Sequence, residues 1–241
     1  MNVFIGTSGF QYAEWKGTFY PESIPTAKML PYYAERFSAT EINYTFRHIP
    51  SSKTMERWSS LTPDAFRFSL KAPQRVTHFA RLRDCADTLR YFHQVTSQLG
   101  AKLGPVLFQL PPSFKKDVPR LALFLEDIPD GMRAAFEFRH ASWFDEEVFT
   151  GLRGRNAALC IADSESLATP MVLTADFGYL RLRREDYQPG DLARWAATIA
   201  GNSANWRDAF IFFKHEESGV GPKFAGEMRQ LLTEPDAQRV G

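Results

Sequence analysis

Cysteine is scarce in this chain: Cys85 and Cys160 are the two present, and they sit in separate segments with no metal-type spacing. A disulfide scaffold and a zinc–thiolate centre are therefore not expected. No run of about 18 apolar residues exists, so no membrane-spanning helix and no membrane partner are predicted. Net charge is nearly absent, with 29 basic side chains against 28 acidic ones, a formal +1. That balance argues against a phosphate-tracking surface over the whole molecule and leaves room for a local basic pocket. The first residues, MNVFIGTSGF, lack a basic n-region and an apolar h-region, so secretion is not expected and a cytoplasmic location fits best. No Gly/Ser linker, low-complexity tract or composition break divides residues 1–241, which read as one domain.

What is present is a regular alternation. Hydrophobic residues make up 44% of the 241 residues and charged ones 24%, the profile of a chain that folds rather than stays disordered. Eight runs rich in β-branched and aromatic residues, bounded by Gly, Pro, Asn or Asp, read as buried strands. They are Val3–Gly9, Thr40–Phe46, Arg67–Ala72, Val106–Leu110, Ala134–Arg139, Ala157–Asp163, Gly178–Arg183 and Ala209–Lys214. Helical patterns fall near 26–37, 52–60, 86–99, 118–126, 145–153, 190–201 and 222–233. Ser51 and Ser52 suit the N-terminus of the second, and Asp145-Glu146-Glu147 opens the fifth with charges that favour a helix start. Gly100 and Gly104 stand as stop signals after the third. Eight βα units would average about 30 residues each, the size of one βα repeat. The alternation predicts an α/β fold, a single (β/α)8 barrel of the TIM type, with one irregular unit near 164–176 where no helix is readable. A doubly wound open sheet is the alternative. GTSGF at 6–10 lacks the GxGxxG spacing that would support it.

Alternate residues of a barrel strand point inward, and the last inward residues at the C-terminal ends form the site. The alternation places Glu41 with Asn43, Ser69 with Lys71, Glu137 with Arg139, and Tyr179 with Arg181 and Arg183. Gln109 ends strand four, Lys214 follows Phe210 and Phe212, His215 lies on the opposite face, and Asp163 ends the face of Leu159 and Ile161. Burying unpaired charges costs several kcal/mol, so such groups must meet one another or a solvated pocket. A barrel mouth allows both. Its expected charges are Glu41, Glu137 and Asp163 against Lys71, Arg139, Arg181, Arg183 and Lys214, a locally basic pocket suited to phosphate or carboxylate. A purely structural ion-pair network is the other reading of each single residue.

These residues fall within an ordered series. GTSGF, Tyr12, Glu14-Trp15-Lys16-Gly17, Phe19-Tyr20-Pro21, Glu41-Ile42-Asn43 and Thr45-Phe46 come first. Lys71-Ala72-Pro73, Thr77-His78, Lys102-Leu103-Gly104-Pro105 and Phe108-Gln109-Leu110-Pro111-Pro112 follow. Phe136-Glu137-Phe138-Arg139-His140, Ser142-Trp143-Phe144 and Asp163-Ser164 close it. Together they resemble the YecE-like family, a domain of unknown function with a TIM-barrel fold. The resemblance spans nearly the whole chain and implies the fold and the site's location, leaving the reaction open. Two places depart from the family's commonest pattern. Arg183 stands in Tyr179-Leu180-Arg181-Leu182-Arg183-Arg184 where a histidine is usual, and Lys214-His215-Glu216 replaces Asn-Asn-Asp. Both lie where a ligand would be gripped, so the ligand can differ from that of commoner members.

Three functional readings follow. The first is an enzyme, a hydrolase, lyase or isomerase, acting on a small anionic substrate that is phosphorylated, carboxylated or sugar-like. Arg139, Arg181, Arg183 and Lys214 would clamp the anion, with Asn43, Gln109 and His140 as further contacts. Glu41, Glu137 and Asp163 would supply acid and base, and Lys71 an electrophile or, with a lowered pKa, a nucleophile. Thr7 and Ser8 would offer an anion nest or form a tight turn, and Tyr12 and Trp15 a wall over the mouth or core packing. His78 and His140 would serve as hydrogen-bonding partners or proton shuttles. The second reading is a non-catalytic binder of an anionic metabolite, with a nucleic-acid end less favoured. The third is divalent-metal-dependent phosphodiester hydrolysis through Glu41, Glu137, Asp163 and His215. No compelling ligand spacing supports it and five nearby cations oppose it, so no cofactor is expected.

Overall fold

The computed structural model describes residues 1–164, 167–214 and 219–233. Eight parallel strands close on themselves: β1 (Asn2–Ser8), β2 (Ala39–Ile42), β3 (Arg67–Lys71), β4 (Leu103–Gln109), β5 (Ala134–Glu137), β6 (Ala158–Asp163), β7 (Phe177–Leu182) and β8 (Asp208–Phe213). They pair in chain order, and β8 returns to β1 with Phe4 opposite Phe210. Seven α-helices are found among the described residues: α1 (Thr26–Ala34), α2 (Ser52–Ser60), α3 (Ala86–Thr96), α4 (Val118–Asp127), α5 (Glu146–Gly154), α6 (Pro189–Gly201) and α7 (Val220–Thr233). None is long and apolar enough to cross a membrane.

Local chemistry starts the helices where the sequence indicates. The Ser51 hydroxyl accepts from Thr54 N, Asp117 accepts from Arg120 N, and Asp145 accepts from Glu147 N, each satisfying an orphan amide of the first turn. The barrel wall is apolar on both faces, as a sheet covered by helices requires. Its inner layer includes Phe4, Leu107, Cys160, Phe177, Phe210 and Phe212, while Ile5, Leu70, Phe108 and Phe136 face the helices. Phe108 and Phe136 stack at 5.2 Å, and Phe124 of α4 meets Phe108 edge-on at 5.3 Å. Each such buried ring stabilises the fold by roughly 1.5–3 kcal/mol. Gly6 has no alternative: a Cβ there would lie 1.7 Å from the Ala39 carbonyl oxygen and 2.5 Å from the Tyr33 hydroxyl.

Some boundaries move. The second strand ends at Ile42, the last residue paired with β3, and a short 3-10 turn over Tyr44–Phe46 follows. The Thr45 hydroxyl pins that turn to the Lys71 carbonyl at 2.6 Å. The fourth strand starts at Leu103, so Gly104 lies inside it rather than stopping a helix. The fifth ends at Glu137, and Arg139 lies beyond it, exposed. Between β6 and β7 no helix occurs among the described residues, as the irregular unit near 164–176 leads one to expect. An irregular segment runs along β6 there. The Thr174 hydroxyl accepts from Leu159 N and donates to Ala157 O, both at 2.7 Å.

Candidate active site at the barrel mouth

Arg181 on β7 is the centre of the site. Its side chain is 2% exposed and points into the barrel, between Glu41 of β2 and Glu137 of β5. Nη2 donates to Glu41 Oε1 at 2.8 Å, and Nη1 donates to Glu137 Oε2. Two carboxylates would not share so dry a space without a cation between them. Burial alone pushes Glu137 up, but Arg181, Gln109 and Arg183 together hold its carboxyl below the ordinary carboxylate range. The two acids in turn hold Arg181 charged despite complete burial, while its Nε finds no partner among the described residues.

Two arms extend this centre. On one side the Ser8 hydroxyl donates to Glu41 Oε1 at 2.5 Å and accepts from Asn43 Nδ2 at 2.9 Å. The Tyr179 hydroxyl donates to Glu41 Oε2 at 2.7 Å and lies 2.7 Å from Ser69 Oγ. On the other side Gln109 Nε2 donates to Glu137 Oε2 at 2.9 Å, and Lys71 Nζ donates to Gln109 Oε1 at 2.8 Å. Lys71 Nζ also lies 4.3 Å from the centre of the Phe46 ring, which His78 meets edge-on. Burial, then repulsion from Arg181, pushes the Lys71 amine down to about 8, with Glu41 and Glu137 opposing and Lys214 adding to the shift. Burial, with the charges of Lys71 and Arg139, also lowers His78.

A cavity of about 300 Å³ opens beside this network. Glu137 lines it together with Arg139, His140, Ala162, Ser164 and Arg183. Arg183 Nη1 stands 3.5 Å from Glu137 Oε1. The His140 imidazole is turned to the backbone, where Nδ1 accepts from Ser142 N at 3.2 Å.

Eight expected residues thus form one connected network: Ser8, Glu41, Asn43, Lys71, Gln109, Glu137, Arg181 and Arg183. Arg139 and His140 join it as cavity walls. Lys214 is half-buried, close enough to act electrostatically on Lys71. Others lie elsewhere. Asp163 ends the outer face of β6 and accepts from the Tyr187 hydroxyl at 2.7 Å and Trp195 Nε1 at 3.1 Å, pointing at α6. The inner face of β6 carries the small residues Ala158, Cys160 and Ala162 instead. Thr7 likewise points outward, its hydroxyl 2.9 Å from the Tyr33 hydroxyl of α1. Trp15 is 1% exposed and packs on Tyr12 and Tyr20, so it is core and no stacking surface. Tyr12 donates to the Ser8 carbonyl and lines a separate apolar groove with Phe10, Tyr44 and Trp58. His215 and Glu216 lie outside the described residues. Tyr179, Ser69 and Phe46 are members the candidate set omitted, although Tyr179 and Ser69 share faces with Arg181 and Lys71.

Among the described residues no three His, Cys, Asp or Glu side chains gather as a metal site. Glu41 and Glu137 are committed to Arg181, and with Asp163 turned outward they are the two inner acids among the described residues, beside Lys71, Arg181 and Arg183. That donor set does not suit a divalent ion.

Fold and site define an eight-stranded βα barrel with a polar, cation-rich C-terminal mouth. The family described as protein of unknown function DUF72 matches residues 4–240, and this chain belongs to it. The UPF0759 protein YecE of Escherichia coli strain K12 is 33% identical over 138 residues, covering 55% of this chain and about half, 51%, of YecE. The UPF0759 protein YunF of Bacillus subtilis strain 168 is 26% identical over 231 residues, 89% of this chain and 79% of YunF. The crystal structure of the DUF72 family protein TM1631 from Thermotoga maritima superimposes with a TM-score of 0.85 at 27% identity, covering 97% of this chain and all of that one. SacUVDE, at 10% identity and a TM-score of 0.57 over 98% of this chain and 99% of its own, shares the fold alone.

Proposed function

We propose that this protein is an enzyme acting on a small anionic substrate at the C-terminal mouth of the barrel, with Lys71 as the group that moves protons. The observation that carries the reading is the cavity beside Glu137, walled by Arg139 and Arg183. Guanidinium groups suit the planar, bidentate binding of phosphate or carboxylate. Beneath them Glu137 and Glu41 are both tied to Arg181, so they act as a fixed floor rather than as proton donors. Lys71, with its pKa pushed down to about 8, can both take and return a proton near neutral pH.

Thermal-shift titration with inorganic phosphate, followed by a turnover screen of phosphosugars, nucleotides and organic acids, tests the reading. Phosphate is expected to stabilise the protein, less so in Arg183→Ala, and at least one anionic compound should turn over with loss of activity in Lys71→Met. Phosphate stabilisation without any turnover would favour the non-catalytic binder. Stabilisation equal in Arg183→Ala would overturn the anion site.

A further inference from the structure

We propose that Lys71 forms a Schiff base with the carbonyl carbon of a small anionic aldehyde or ketone, an inference that rests on the anion-binding reading above. This lysine differs from its buried and paired fellows. Lys102 is also largely buried, but its ammonium donates to the carbonyls of Ser59 and Thr62, both at 2.7 Å, and lies 3.7 Å from Asp64. Lys116 pairs with Asp145 at 2.9 Å. Those contacts engage the ammonium group directly. Lys71 sits at the last position of β3, on the inner face, and its hydrogen-bond partner is the neutral carbonyl of Gln109. Among the described residues no carboxylate lies within ion-pair distance of it.

A neutral amine keeps that hydrogen bond with one of its two protons and still has its lone pair free. Gln109 is itself fixed, since its amide nitrogen donates to Glu137 Oε2. The lysine is therefore oriented by a group that does not demand its charge. The Phe46 ring shields the amine on one side. Burial and the Arg181 guanidinium push its pKa down to about 8, which supplies free amine at physiological pH.

The chemistry balances without an outside reagent. The Nζ lone pair forms the C–N bond as the carbonyl π pair moves to oxygen, and transfer of one proton from that nitrogen to the oxygen gives the neutral carbinolamine. A second proton, taken from solvent, lets the hydroxyl leave as water as the restored nitrogen pair forms the cationic C=N bond. The new charge lies in the field of Glu41 and Glu137, the same two carboxylates that act on Lys71. The anionic group of the substrate would lie against Arg139 and Arg183. An iminium so placed withdraws electrons from the neighbouring carbon, which is the chemistry that lyases and isomerases of carbonyl compounds use.

The test uses the full chain with pyruvate, glyoxylate and dihydroxyacetone phosphate as separate probes, each with sodium cyanoborohydride, read by intact mass and peptide mapping. The expected result is a single reduced adduct on Lys71 with at least one probe. It should be absent in Lys71→Met and slowed about tenfold both in Arg183→Ala and by excess inorganic phosphate. No adduct on Lys71 with any probe, while phosphate still protects the protein from heat, overturns the Schiff base and leaves the anion site standing. Neither adduct nor phosphate protection overturns both. An adduct on Lys71 indifferent to phosphate and to Arg183→Ala overturns the assignment of an anionic substrate.

Discussion

Arg181 and Glu41 are 140 positions apart in the chain and 2.8 Å apart inside the barrel. The pair exists because β7 and β2, on different sides of the closed sheet, both end in inward polar residues. With Glu137 it makes a three-charge cluster that is almost wholly buried.

Removing the cation should be far worse than removing an ordinary salt bridge. Arg181→Met strands two buried carboxylates, at a cost of roughly 3–5 kcal/mol measured by urea unfolding at pH 7. The loss should shrink as pH falls below the ordinary carboxylate range. A depressed Glu137 pKa stabilises the native state above its ordinary value of 4.5 and ceases to do so as the carboxylate protonates. A cost under about 1 kcal/mol would contradict the buried pairing.

Lys71 predicts the reverse sign. Its pKa falls from 10.5 to about 8 on folding, through burial and Arg181, with Glu41 and Glu137 opposing and Lys214 assisting. The native state resists holding that proton, so stability associated with Lys71 is complete above pH 10.5 and is lost as pH falls to 8. Lys71→Met should therefore be more stable than the parent by about 3 kcal/mol at pH 7, the advantage vanishing by pH 10.5. Paired urea titrations at several pH values check this, and a pH-independent difference would refute it.

Asp163 and Arg183 should separate cleanly. Asp163→Asn weakens the bonds to Tyr187 and Trp195, costing about 1 kcal/mol of stability, and leaves phosphate affinity unchanged. Arg183→Ala should weaken phosphate binding about tenfold, about 1.4 kcal/mol, by calorimetric titration at low salt. Equal losses of affinity would contradict the outward placement of Asp163.

Two glycines give a further contrast. Gly6→Ala drives a methyl into the Ala39 carbonyl and should cost at least about 3 kcal/mol or prevent folding. Gly201→Ala, at the end of α6, meets nothing within 4 Å and should be neutral or stabilising by up to about 1 kcal/mol. Thermal melts of the two variants decide it.

Much of this architecture is legible in the amino acids. Strand-like runs and caps such as Ser51 and Asp145 place the elements, because local periodicity and orphan amides act within a few residues. The alternation also states which polar residues travel together: Glu41 with Asn43, Ser69 with Lys71, Tyr179 with Arg181 and Arg183. What alternation leaves open is which of the two faces looks inward. In a barrel wall covered by helices both faces are apolar, so Leu159 and Ile161 cannot announce that they and Asp163 face outward. Thr7 and Ser8, adjacent in β1, are parted in the same way, one to Tyr33 and one to Glu41. Closure of the sheet decides those questions, since only inner faces with small residues at β6 leave room for the phenylalanines and for Arg181. The basic character of the mouth, its two tied carboxylates and the amine at Lys71 are therefore properties of the packed barrel, built from residues the alternation had already grouped.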